Sequence, residues 1–399
     1  MTLLRLALAY ARRRPLSTLL VVILLAVGVA TVTLTLLLSR ELADRLTRDA
    51  AGIDLVVGAK GSPLQLVLAG VYHVDVPPGN IPLAAVAQLR ANPLVAEVIP
   101  LALGDSFRGF RIVGTEPAFP AHYGATLRDG RLWQAPLEAV VGSAVAAATG
   151  VAVGDAFAGS HGLAEGGGEH ANARYRVTGV LAPTGTVLDR LVLTAVDSVW
   201  AVHEHHAEEA HVGKDLEPER EVTLVLVRYA SPLAAATLPR AIDRNTEMVA
   251  ASPAWETARL MTVFGAGFDL IRAFALLLVA ASGFMLFVAL AQALEDRRYD
   301  LAILRALGAS RRKVASVLLI ESIVLTLAGT VAGIAVAHAV ALAIGMVVPD
   351  AAPLSAAALR WLPEEWAVVA LALGAGILAA LWPAWRAMRV DVAATLADN

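Results

Sequence analysis

Residues 16–38 read LSTLLVVILLAVGVATVTLTLLL, an apolar run with no charged side chain. A helix crossing a ~30 Å hydrocarbon core needs about 20 mostly apolar residues at about 1.5 Å each. This run meets that requirement, and working outward from it gives the fold. Three further segments pass the same test. Residues 270–294 carry only Arg272, at their edge. Residues 314–348 carry one acid, Glu321, and residues 366–385 carry no charge. Ser39-Arg40-Glu41 follows the first run where a signal peptide would place small residues for cleavage. An uncleaved anchor is therefore expected.

The chain has 399 residues, 57% hydrophobic and 17% charged, too apolar for a soluble protein and too polar for an all-membrane one. A net charge of -3 gives no basis for a nucleic-acid binder, and the lack of cysteine excludes disulfides and thiolate metal sites.

Basic residues near the spans set sidedness. Arg5, Arg12, Arg13 and Arg14 precede the first. Arg297, Arg298, Arg305, Arg311, Arg312 and Lys313 crowd the turn after the second, and Arg386 and Arg389 follow the fourth. The loop after the third holds Asp350, Glu364 and Glu365 against Arg360 alone. The expected plan is a cytoplasmic N-terminus (1–15), span one (16–38) and an extracytoplasmic segment (39–269). Span two (270–294), a cytoplasmic loop (295–313) and span three (314–348) come next. A short external loop (349–365), span four (366–385) and a cytoplasmic tail (386–399) complete it. Both termini are placed in the cytoplasm, with the chain multi-pass in a membrane.

The extracytoplasmic segment alternates strand and helix patterns. Strands are expected near Asp54–Val57, Ala96–Leu103, Gly109–Gly114, Tyr175–Leu181, Arg190–Ala195 and Val222–Tyr229. Helices are expected at Leu83–Ala91, Ser143–Thr149 and Pro232–Asp243. The fold class is thus four transmembrane helices plus a large α+β domain inserted between helices 1 and 2. Helical stalks are expected on either side of the domain, over 39–51 and 257–269.

Several residues stand out chemically. In the 295–313 loop, Leu301, Leu304 and Leu307 recur at helical spacing, charges surround them, and Gly308 ends the helix. Such an amphipathic helix suits either a lipid surface or a groove on a partner. Glu321 lies about two turns into span three. There an acid is costly unless paired or near water, and Arg305 and Arg12 are candidate partners. His338 is expected to pack at a helix interface. Gly329, Gly333 and Ala337 share one face of span three, suited to close packing within the chain or across a dimer. In the outer segment, His161, His170, His203, His205, His206 and His211 lie among carboxylates. Imidazole with carboxylate suits zinc, although no closed four-ligand spacing is visible and a solvated loop fits as well.

No enzyme motif is present. Gly142-Ser143 lacks the second glycine of a nucleophile elbow, and His203-Glu204-His205-His206 is one residue short of H-E-x-x-H. There is no G-x-x-x-x-G-K-[ST], so ATP and Mg, if used, belong to a separate chain.

With these features in view, Glu295 through Ser310 (EDRRYDLAILRALGAS) resembles the cytoplasmic signature of the MacB/FtsX-like ABC permeases, with Asp300-Leu301 where that family usually has Glu-Ile. Val141 to Ala146 with Gly154-Asp155, and Tyr175 to Leu181, resemble parts of its extracytoplasmic core. Pro383 to Asp391 resembles its ending. The resemblance implies that Tyr299, Asp300, Leu301, Leu304, Arg305, Leu307 and Gly308 form a coupling helix seated on a cytoplasmic ABC ATPase. It also implies a second permease copy and a periplasmic adaptor or outer-membrane partner. Three roles are open: motion transmission for efflux or lipoprotein release, a scaffold activating an extracytoplasmic hydrolase, and a metal or metallophore exporter.

Overall fold

A computed structural model of the chain describes residues 15–162, 169–209, 220–348 and 351–389. Two units emerge, one of Ala43–Thr262 and one of the flanking helices, each with its own apolar cores.

The chain enters through α1 (Pro15–Asp49). The domain then runs β1 (Leu55–Ala59), α2 (Pro63–Gly70), β2 (Ile81–Pro82), α3 (Leu83–Arg90), β3 (Val95–Phe107), β4 (Phe110–Thr115) and α4 (Ala118–His122). Next come β5 (Leu127–Gly130), β6 (Glu138–Val141), α5 (Ser143–Thr149), β7 (Ala156–His161), β8 (Glu169–Leu181) and β9 (Leu191–Ala195). It closes with α6 (Val196–Glu209), β10 (Glu221–Val222), β11 (Leu224–Tyr229), α7 (Pro232–Asn245) and β12 (Met248–Ala251).

Ten strands form a mixed sheet in the order β12-β1-β11-β3-β4-β9-β6-β8-β5, with β7 pairing both β3 and β8. The 13-residue β3 holds it together. Its first half pairs β11, its second half pairs β4 and β7, and a bulge between Leu103 and Ser106 lets the strand change partners. Strands β1 and β11 are buried on both faces, which explains their unbroken apolar runs. Leu55, Val57, Val225 and Val227 face α3 and α7 through Ala85, Leu89, Leu238 and Ile242. Val56, Leu224 and Leu226 pack on the other side with Leu66 of α2. Among the ligand candidates, His211 lies outside the described residues. His161 ends β7, His170 sits in β8, and His203, His205 and His206 lie on α6, but their side chains are also outside the description.

His73 follows α2 with φ +54° and is buried. Neither ring nitrogen has a hydrogen-bond partner among the described residues. Burial, then the nearby Arg111 and Arg190 charges, hold the imidazole well below its ordinary 6.5. Arg111 is itself fixed by donating to the carbonyls of Ala69 and Asp75, at 3.3 and 2.7 Å.

Four helices are long and apolar enough to cross a membrane. They are α1, α8 (Pro253–Asp296), α10 (Arg311–Val347) and α12 (Glu365–Met388). The short α9 (Arg298–Ala306) and α11 (Ala352–Ala357) lie between them in sequence. Leu286 and Leu290 of α8, Leu318 and Leu325 of α10, and Ala379 and Ala380 of α12 share one core. The glycine face of α10 packs within the chain, against α1. A Cβ built on Gly333 would lie 2.6 Å from the Ala26 carbonyl oxygen and 2.8 Å from Val29 Cβ. Small residues thus let the two backbones approach. Ser322 adds an interhelical hydrogen bond, donating to the Gly376 carbonyl at 2.6 Å.

At the far end of α10, His338 packs at a helix interface as expected, whereas Glu365 differs from expectation. Glu365 is not a solvated loop acid: it is fully buried at the start of α12, 3.1 Å from His338 Nε2. His338 Nδ1 reaches the Ala358 carbonyl at 2.7 Å.

Two predictions follow from packing and burial. Gly333→Ala in the full-length chain is expected to cost about 1–3 kcal/mol, because a methyl must displace backbone. Gly374→Ala, where a Cβ meets nothing within 4 Å, is expected to be neutral or slightly stabilising. Thermal unfolding in detergent compares the two. For His73, an imidazole depressed in the fold gives stability that is complete above its ordinary 6.5 and is lost as pH falls below it. The melting temperature is therefore expected to fall on acidification. His73→Asn, which tolerates the left-handed backbone, should flatten that part of the profile.

Candidate functional site

The turn between α8 and α10 is rich in charge and reverses the chain within the helical unit. α8 ends at Asp296, and Arg297 leaves helical geometry at φ -107°, ψ 8° as the N-cap of α9. α9 stops in a Schellman arrangement, in which Ala309 N–H donates to Leu304 O and Gly308 N–H donates to Arg305 O. Gly308 sits at φ +95°, the conformation such an end requires. The Ser310 hydroxyl accepts from Lys313 N–H and starts α10. Nine residues of helix are therefore held between two tight turns.

α9 is apolar on two sides. Leu301 and Ala302 are buried and Leu304 packs on the same core, beside Val314 and Leu318. On the outer side, Tyr299, Ile303 and Leu307 follow one another at four-residue steps and are 43%, 38% and 80% exposed. Leu301 and Leu304 were expected to share one apolar face with Leu307, offered to lipid or a partner, but they turn to the bundle and Leu307 does not follow. It lies outside because the helix has ended and the Gly308 turn swings it away. Ile303 was missed. The signal was available in the Tyr299–Ile303–Leu307 spacing, a second stripe beside the first. Asp300 is exposed and Arg305 half-buried.

Glu321 does not pair with Arg305, and Arg12 lies outside the described residues. Its partner is Arg297, whose Nη1 donates to Oε2 at 2.9 Å while Nη2 lies 3.5 Å from Oε1. The side chains are only 10% and 6% exposed. The reversal at Arg297 turns its guanidinium inward, whereas Arg305 lies on the last turn of α9. Ser17, Thr18, Leu286, Leu290 and Leu325 line a cleft around the pair. A bidentate guanidinium satisfies both carboxylate oxygens in a setting where an unpaired charge costs several kcal/mol. The pair pins the N-cap of the short helix to α10. A second, exposed layer surrounds it: Glu295 accepts from Arg298 and lies 3.0 Å from Arg386 of α12.

In the domain unit, the ends of the long helices are fastened in a comparable way. The Tyr72 hydroxyl donates to Leu46 O of α1 at 3.3 Å and lies 2.5 Å from Thr257 Oγ1 of α8. The Tyr123 hydroxyl donates to Asp49 O at 2.8 Å. Val187 N–H donates to the buried Asp49 carboxylate at 2.8 Å, and His122 Nε2 lies 2.9 Å from Ala51 O. Burial, then the Asp49 charge, push the Tyr123 hydroxyl well above its ordinary range, so it remains a donor. None of these residues stood out in the sequence, because hydroxyl-to-backbone contacts follow no spacing rule. Among the described residues no cluster of three or more metal-ligating side chains occurs.

The Arg297–Glu321 pair gives a direct test. Arg297→Met is expected to destabilise the full chain by about 3–5 kcal/mol, since it strands a buried carboxylate. Arg297→Met with Glu321→Leu should recover most of that loss. Chemical unfolding of the wild type, the single variants and the double variant measures the coupling; equal destabilisation of single and double variants would contradict it.

Two family models match the chain. The MacB-like periplasmic core domain covers residues 18–245 and the FtsX-like permease C-terminal covers residues 272–392. Among solved structures, the periplasmic region of MacB from Actinobacillus actinomycetemcomitans aligns at 12% identity and a TM-score of 0.35. That alignment covers 53% of this chain and 95% of that one. The extracellular domain of the ABC-type transporter YknZ from Gram-positive bacteria aligns at 11% identity and a TM-score of 0.30, covering 50% and 98%. A search of curated proteins found no match. The core-domain model by itself spans more than half of the sequence, and the permease model takes in the helices that follow, so the chain belongs to the MacB/FtsX-type family of ABC transporter permeases.

Proposed function

We propose that this permease subunit transmits ATP-driven motion from a separate ABC ATPase to its α+β domain, moving a substrate on the outer side of the inner membrane. The observation that carries the reading is α9: one face buried on the bundle, the other an exposed apolar stripe of Tyr299, Ile303 and Leu307. A rigid short helix with an exposed apolar face is the element a partner groove accepts. ATP and its Mg ion reside in that partner. Arg297 and Glu321 make the helix move with α10 instead of slipping against it. In this reading motion passes along the 44 residues of α8. Tyr72 and Thr257 tie that helix to the domain core.

Arginine sidedness places the 295–313 loop and both termini in the cytoplasm. A second permease copy and a periplasmic adaptor or outer-membrane partner complete the assembly. The spans carry few charges among their buried positions, in keeping with a machine that works its cargo outside the bilayer and not through a polar tunnel.

The test uses the complex copurified with its ATPase. Leu304→Pro and Arg305→Glu are expected to abolish coupled ATP turnover while the chain still inserts, and Ile303→Asp should weaken ATPase capture. Normal turnover in all three would remove the role given to α9. Reporters fused near residues 200 and 300 should appear on opposite sides of the membrane. Mass spectrometry of the copurified complex identifies the ATPase and the cargo.

A further inference from the structure

We propose that His338 and Glu365 bind a single proton between them, and that this proton holds the segment 351–364 closed over the end of the bundle opposite α9. The inference stands on geometry in the helical unit and is independent of the partner assigned to α9.

The hydrogen-bond inventory forces the count. Ala358 O is a carbonyl and can only accept, so at 2.7 Å His338 Nδ1 must carry a hydrogen. A neutral imidazole then presents a bare lone pair at Nε2. An ionised carboxylate is also an acceptor only. Yet Nε2 and Glu365 Oε2 are 3.1 Å apart. The contact is bonding only with one proton between the two atoms, either as imidazolium with carboxylate or as imidazole with carboxylic acid. Both forms have zero net charge. Remove the proton and a lone pair faces a full negative charge on a side chain with 0% exposure. That arrangement is repulsive and desolvated, so it relaxes by separating.

Each partner sits where separation has a consequence. Glu365 Oε1 also accepts from Leu362 N–H at 3.0 Å, so the carboxyl ties the loop to the first turn of α12. His338 holds the same loop through Ala358. Leu354 and Ala358 pack with Leu37 of α1 and Ala341 of α10. A Cβ built on Gly345 would lie 2.5 Å from Ser355 N, so α11 rests against the backbone of α10. Two polar attachments of a small apolar cap, at Ala358 and Leu362, therefore run through the pair that shares the proton.

No other charge can take its place among the described residues. α11 has no titratable side chain, and α10 has none but His338 between Glu321 and Val347. On α1, Arg40 pairs with Glu364 at 3.8 Å and both are substantially exposed; Glu41 lies one residue further, and Arg360 is exposed in the loop.

The chain has no cysteine, so a single introduced thiol reports the cap directly. Ala358→Cys places it at a buried position and Leu359→Cys at a neighbour that is 78% exposed. The ratio of their labelling rates cancels the reagent's own pH dependence. In the full chain in detergent, that ratio is expected to rise about tenfold or more from pH 5 to pH 9, as the proton is lost. Glu365→Gln supplies an amide N–H to Nε2 and still accepts from Leu362, so it keeps both bonds without a titrating proton. In that background the ratio should be low and flat. A ratio that is flat in the parent protein overturns the proposal, whatever the variant does. So does a rise of equal size in Glu365→Gln, checked for folding by its melting temperature.

Discussion

A guanidinium and a carboxylate buried together in an apolar helical bundle are what the rest of the permease half depends on. Arg297 and Glu321 could not be there singly, since each alone would carry an unbalanced charge out of water. Together they convert that penalty into position. The pair fixes the residue at which α8 ends, α9 begins and the chain reverses onto α10. Apolar packing of Leu301 and Leu304 holds α9 against the core, but such contacts slide; a bidentate ion pair has one register. The short helix therefore cannot rotate to hide its outer stripe without breaking the pair.

The domain solves a related problem with different chemistry. Tyr72, Tyr123 and Asp49 fasten the last turn of α1 and the first turns of α8 to a domain whose central strands β1 and β11 are buried on both faces. The bonds are neutral or made to backbone, so they need no compensating ion. They terminate on a core too tightly packed to yield gradually.

Much of this was legible in residue order. Span lengths follow from hydrocarbon thickness. The helices at Leu83, Ser143 and Pro232 begin where the apolar spacing places them. What escaped depends on contacts distant in sequence. β5, with the wholly exposed LRDG, has no strand pattern of its own and exists by pairing with β8. The acid Glu365 resembles a favourable helix N-terminal charge, and its burial comes from His338, 27 residues earlier in the chain. Hydropathy gave the cost of Glu321 but not its partner, because the turn that aims Arg297 inward is set by tertiary packing. Leu307 was grouped with Leu301 and Leu304 because helical spacing was extended one residue past Ala306, where the helix ends just before the Gly308 turn.

α10 thus carries a buried acid contact near each end, neutralised in two different ways. Toward α9 the counter-ion is arginine, which keeps its charge at any physiological pH, so that contact is permanent. Toward α11 the partner is histidine, the side chain best suited to gain or lose a proton under ordinary conditions. An arginine at position 338 would have made the second contact as fixed as the first. The choice of imidazole, with a backbone carbonyl dictating which nitrogen is protonated, leaves one end of the same helix rigid and the other conditional.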